Sequence, residues 1–172
     1  MAGTIVLAAL TACRPVESAQ TSLAPPSFTA SIDPLASVKD AILNAYRGMW
    51  RDFADAAHTA DWNDPDIADH TTGDAEAKLR YGLFLASKKG QVVKGDPLLL
   101  STRIAELKPE NIPTKATIVD CVDDTRFLVH EKSGSKAKGG ADVGRHHTTA
   151  VLTLRRGSWY VNSYILKEAG TC

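Results

Sequence analysis

The stretch DPLASVKDAILNAYRGMWRDFADAA, residues 33–57, decides how the rest of the chain is read. Leu35, Val38, Ile42, Tyr46, Met49, Phe53 and Ala56 recur at intervals of three and four. That spacing lays one apolar stripe along a long α-helix, widened by Trp50. Lys39, Asp40, Arg47, Arg51 and Asp55 fall mostly outside the stripe. Asp33-Pro34 reads as the start signal, an aspartate cap followed by a proline whose fixed φ suits the first helical position.

Downstream, Asp64-Pro65 reads as a second cap, opening a short helix that ends before Gly73. Thr72 or Asp74 caps a third helix, with Leu79, Leu83 and Ala86 inward and Gly90 as its stop. After Gly90 the period changes to two. Leu98–Leu100, Ala116–Val122, Phe127–Val129, Thr148–Leu154 and Trp159–Leu166 read as strands. Asp123-Asp124 and Arg156-Gly157 are turn candidates between neighbouring strands. Helices first and strands after give an α+β fold, with the N-terminal helices packed on one face of a curved, mainly antiparallel sheet.

Composition bounds the function classes. The 172 residues suffice for one domain, and 44% apolar content suffices for a core. Basic and acidic residues balance at 20 each, which gives no basic face for nucleic acid. No run of eighteen or more apolar residues occurs, which excludes a membrane-spanning helix. The three cysteines, at 13, 121 and 172, form no CxxC pair, so neither a zinc site nor a thioredoxin-type motif is expected.

Residues 1–12 form an apolar segment ending in small residues, the pattern of an export signal. Leu10-Thr11-Ala12-Cys13 resembles the lipobox of bacterial lipoproteins. The resemblance implies that Cys13 accepts a diacylglycerol and becomes the first residue of the mature protein. No lysine or arginine precedes the apolar run, which departs from the usual signal. Residues 13–34 are rich in Pro, Ser, Thr and Ala without period, and read as a flexible tether to a domain over 35–172.

Helices followed by strands, with a terminal hairpin ending GSWYVNSYIL, resemble the nuclear-transport-factor-2-like (cystatin-type) cone fold. Asp61, Asp64-Pro65, Gly73, Gly95, Val119–Asp123, the Trp159 strand and Cys172 resemble a group of small secreted or lipid-anchored actinobacterial proteins with that fold. The resemblance spans residues 35–172 and implies export and shape rather than activity. If the chain is exported, Cys121 and Cys172 pair and pin the C-terminus to the sheet; otherwise they are two free thiols.

Cone folds enclose a pocket between sheet and helices, where related isomerases and cyclases hold an aspartate or histidine as general base. Asp61, Asp64, Asp66, Asp69 and His70 are the candidates here. A structural reading accounts for Asp64 as a cap, Asp61 as a turn residue and His70 as a helix-end imidazole. His146-His147 raises a metal site, but neighbours on a strand point to opposite faces, and His58, His70 and His130 join them only through folding. Neither metal nor cofactor is expected. The loop EKSGSKAKGGADVGR, residues 131–145, reads as a mildly basic excursion linking two strands.

These readings converge on an exported protein, lipid-anchored at the extracytoplasmic face of the cell membrane. Its domain is expected to act as a non-catalytic binding module for a small apolar ligand or an envelope protein. Two alternatives stay open: an isomerase- or cyclase-like enzyme using the Asp61–His70 segment, and a surface exclusion or immunity lipoprotein.

Overall fold

The computed structural model describes residues 33–137 and 142–172. The signal segment, Cys13 and the tether up to residue 32 lie outside the described residues, as do positions 138–141 of the glycine-rich loop.

The apolar stripe of the opening stretch forms α1, Ala36–Ala57. Ile42, Ala45, Tyr46, Met49 and Trp50 are buried along it, as the three-four spacing requires. Asp33 and Pro34 do not occupy the cap and the first helical position, as read, but the turn that leads into the helix. Asp33 Oδ1 accepts the Leu35 amide at 2.9 Å and Oδ2 meets Lys39 Nζ at 2.6 Å, while the helix proper begins after Leu35. These bonds, led by that to Lys39, hold the Asp33 carboxyl below its ordinary range.

A four-residue helix, α2, runs Ile67–His70, and α3 runs Gly73–Lys88. Between them Thr71 and Thr72 lie beside the last strand, with the Thr72 amide donating to Val161 O at 2.9 Å. That contact sets where α3 starts. Gly73 sits at φ 59, and a Cβ there would lie 3.0 Å from Asn162 Oδ1.

Among the described residues seven strands follow: β1 Gln91–Lys94, β2 Leu98–Leu99, β3 Arg103–Lys108, β4 Lys115–Asp123, β5 Leu128–Glu131, β6 Arg145–Arg155 and β7 Ser158–Leu166. The main sheet has five strands, all antiparallel, with β2 and β3 side by side along β4, then β6, then β7. Along β4 as far as Asp120, and along the facing part of β6, burial alternates: Ala116, Ile118 and Asp120 face inward opposite Leu152, Ala150 and Thr148. Arg156 at φ 50 and Gly157 at φ 87 close the β6–β7 hairpin with a primed turn.

Two bulges bend the sheet over α1. One falls between Ile104 and Glu106, so Ile104 and Leu107 both turn to the core across from Ile118 and Ala116. The other adds Asn162 opposite the Val151/Leu152 step, which brings both Val161 and Tyr164 inward. The fold class is the α+β arrangement expected, with helices on one face of a curved antiparallel sheet.

Three expectations need correction. β1 and β3 have no counterpart among the strands read from the sequence, β1 because Gln91 and Lys94 enclose only two adjacent apolar residues and β3 because of its bulge. Asp123-Asp124 does not close a hairpin: β5 leaves the main sheet and pairs with β1 in a separate two-stranded sheet. Gly95, at φ 80, makes this possible, since a Cβ there would lie 2.0 Å from Arg126 O.

Candidate functional site

The segment expected to hold a general base divides in two. Asp61 Oδ1 accepts the Asn63 amide at 2.9 Å and Asp64 Oδ1 accepts the Asp66 amide at 3.0 Å. Both carboxylates are thereby used in turns. Asp66 and Asp69 are exposed. Arg80 fixes the segment to α3, its Nη1 donating to Trp62 O at 2.9 Å and to Asp64 O at 3.0 Å.

His70 has a different partner, one the sequence reading did not name. Its Nδ1 lies 2.5 Å from Asp52 Oδ2, and Asp52 Oδ1 accepts from Arg51 Nη2 at 3.1 Å. Asp52 is buried on the inward side of α1, while His70 keeps 29% of its side chain exposed. Gly48, one helical turn before Asp52, leaves the room: a Cβ at 48 would lie 2.5 Å from the ring. The sequence signal was an acidic residue and a glycine one turn apart along one edge of the apolar stripe. A carboxylate that fixes one ring nitrogen leaves the other for proton transfer.

The region between α1 and the sheet, where the cone pocket was expected, is filled. Ile42, Tyr46, Met49 and Trp50 form one packed cluster with Ile118, Leu152 and Val161. Tyr46 and Trp50 meet edge-on at 6.4 Å, and Trp50 and Tyr164 at 5.8 Å. An open groove of about 580 Å³ runs outside this cluster, between Leu43 of α1 and the Thr102–Leu107 edge. A smaller one, about 230 Å³, lies between Trp50 and Leu99. Neither is lined by Asp52 or His70.

Among the described residues the most deeply buried carboxylate lies elsewhere. Asp120, on β4, is 3% exposed. Its Oδ1 accepts the Ser101 amide at 2.9 Å and the Cys121 amide at 2.7 Å, and its Oδ2 accepts from Thr102 Oγ1 at 2.8 Å. Ser101 and Thr102 join β2 to β3, so Asp120 clasps the interruption between two edge strands that share one partner. The Tyr46 hydroxyl and the Trp50 Nε1 are buried without a hydrogen-bond partner among the described residues. Burial first, and the Asp120 charge second, push the Tyr46 phenol far above its ordinary range. Burial alone pushes Tyr164 up to about 12.

His146 and His147 face opposite sides of β6, as strand geometry demands. His146 is buried, with Nδ1 2.8 Å from Lys167 O and Nε2 3.2 Å from Asp124 Oδ1. His147 pairs across the sheet with Cys121. His58 reaches Gly95 O at 3.0 Å, and His130 stays on β5. Among the described residues no group of three or more His, Cys, Asp or Glu is placed to hold a metal ion. The Cys121 and Cys172 sulfurs lie at bonding distance, 2.08 Å. No helix among the described residues is long and apolar enough to cross a membrane.

No protein-family model matches the chain, and no curated protein matches it. Several solved structures are similar in arrangement. One is the intermembrane-space region of the chloroplast protein ARC6, at TM-score 0.48 and 13% identity, covering 81% of this chain and 99% of that one. Another is a Nostoc punctiforme protein of unknown function described as having a cystatin-like fold, at 0.45 and 11%, covering 81% and 96%. A third is a putative Ca/calmodulin-dependent kinase II association domain from Exiguobacterium sibiricum, at 0.48 and 11%, covering 83% and 100%. At these identities and scores the likeness concerns the arrangement of the chain, and the functional argument rests on its own residues.

Proposed function

We propose that this chain is an exported bacterial protein, moored by lipid at Cys13 outside the cell membrane, whose folded domain binds a partner rather than catalysing a reaction. The observation that carries the reading is the Cys121–Cys172 pair, since a bond between them persists in an oxidising compartment and is rare in the cytosol. Leu10–Cys13 supplies the acceptor thiol, and the Pro/Ser-rich residues after it supply a tether. Two or more acyl chains give stable anchoring, at about 0.8 kcal/mol per buried methylene. The packed cluster between α1 and the sheet favours recognition by the outer surface over turnover in the interior.

Metabolic labelling with a palmitate analogue, membrane fractionation and intact mass of the product test this together. The expected result is label on a membrane-bound chain beginning at Cys13, lost in Cys13→Ser, with Cys121 and Cys172 joined. A cytosolic product retaining Met1 and three free thiols overturns it.

A second reading, proton transfer of the isomerase type, is favoured by one observation: the carboxylate-held imidazole of His70. Deuterium exchange into enolisable ketones, abolished by His70→Gln, would support it. Exchange indifferent to that change removes it.

A further inference from the structure

Helix α3 is apolar on two sides. Ala75, Leu79 and Leu83 face the core and are buried. Ala77, Tyr81, Phe84 and Leu85 recur at three- and four-residue spacing on the outward side. Tyr81 is 62% exposed and Leu85 39%, and Trp62, 40% exposed, extends the patch edge-on against Phe84 at 5.7 Å. A helix at the surface normally turns charge to water, and one that is apolar all round has something packed on both sides.

The ends of the outward face carry opposite charges. Asp74 stands seven residues before Tyr81 and Lys88 seven residues after it, two turns each way and on the same side of the helix. Among the described residues neither has an ionic partner; Lys88 lies over the Phe84 ring at 5.4 Å. Of the other charges on or beside α3, Arg80 pairs with Glu76 at 2.9 Å and Lys78 donates to Tyr164 O at 3.0 Å, while Lys89 is exposed at the C-terminal edge of the face. Turned about a twofold axis through Tyr81, an antiparallel copy of α3 sets Asp74 against Lys88 twice. It also sets Ala77 against Leu85, small against large, and the Tyr81 ring against its own copy. The face is complementary to itself in charge and in size.

We infer that the outward face of α3 is the contact of a twofold dimer, and that its occupant is a second copy of this chain. A bilayer fits less well: Asp61, Asp64 and Asp66 border Trp62, and an anionic lipid surface repels them. One helix and one tryptophan per protomer place the contact among the small, reversible interfaces, below about 1,200 Å² in total.

Sedimentation equilibrium of the full chain up to a few hundred micromolar tests this. The mass is expected to rise from the 18.4 kDa monomer toward twice that value. Asp74→Lys and Lys88→Asp, each alone, set like charges together at both ends and weaken association by about tenfold or more. An equimolar mixture of the two variants restores it, because each mixed pair then joins opposite charges. Tyr81→Cys in a chain that also carries Cys13→Ser is expected to cross-link to itself under mild oxidation while Cys13→Ser alone does not, which decides the matter even if a reversal misfolds. A chain that stays monomeric throughout, or a dimer indifferent to both reversals, overturns the inference. So does binding to phosphatidylglycerol vesicles, lost in Tyr81→Glu, without any gain in mass.

Discussion

His70 sits over Gly48, with its Nδ1 2.5 Å from the buried carboxylate of Asp52. The backbone of α1 at position 48 is thus the floor on which the ring lies. Gly48→Ala would normally favour a helix by about 1 kcal/mol. Here the new methyl drives the ring away and breaks a charge-assisted bond worth about 1.5–3 kcal/mol. The loss exceeds the gain, so Gly48→Ala is expected to destabilise by about 1–2 kcal/mol. Urea unfolding checks the sign: an increase in stability would show that the ring carries no weight in holding α2 to α1.

Asp120 is expected to be the costliest polar residue to remove. Asp120→Ala leaves the Ser101 amide and the Thr102 hydroxyl without their acceptor and opens a cavity beside Tyr46. The expected loss is about 2–4 kcal/mol. Asp120→Asn keeps the volume and one acceptor and should lose less. Thermal unfolding of the pair measures both, and equal losses would locate the cost in the charge rather than in the clasp.

The sequence declared those elements whose periods are regular. α1 has a clean three-four spacing and β6 a clean two-residue one, Trp159 and Val161 keep that period at the start of β7 ahead of its bulge, and Arg156-Gly157 marks the turn between the strands. β3 was hidden because Ile104 and Leu107 are three apart, a helical interval that a strand reaches only through a bulge. The site was less legible than the fold. Asp61 and Asp64 stood out by their spacing and turned out to fold their own loop. Asp52 did not, because its partner lies eighteen residues away and only the crossing of α2 over α1 joins them. Asp120 was equally silent, since which strand face holds a carboxylate depends on the pairing register.

The Cys121–Cys172 pair is expected to hold the end of the chain over β6. Gly170 N reaches Arg145 O at 2.8 Å and His147 N reaches Thr171 Oγ1 at 2.9 Å, so the last residues are already laid along that strand. With a sequence separation of 51, the chain-entropy relation gives about 4 kcal/mol from the closed loop. Cys172→Ser should lower the unfolding free energy by roughly that amount. It should also speed hydrogen exchange at His147, Gly170 and Thr171. A wild-type midpoint unmoved by reductant would mean that the thiols are free in solution.

Alkaline pH should unfold the domain through its buried phenols. Unfolded tyrosine ionises near pH 10. Tyr164 in the native state holds its proton to about 12, and Tyr46 holds it beyond that range. From about pH 10 upward the unfolded chain therefore binds fewer protons than the native one, and stability falls with rising pH. The contribution is complete below about pH 10 and is lost as pH climbs through the native values, at up to about 1.4 kcal/mol per pH unit for each phenol. Tyrosinate absorbance of the native protein should lack these two residues above pH 10, and their signal should arrive together with the loss of helical dichroism. Tyr46→Phe removes one of the two and should flatten the decline. Ionisation of all 4 tyrosines ahead of unfolding would mean that water reaches the interior between α1 and the sheet.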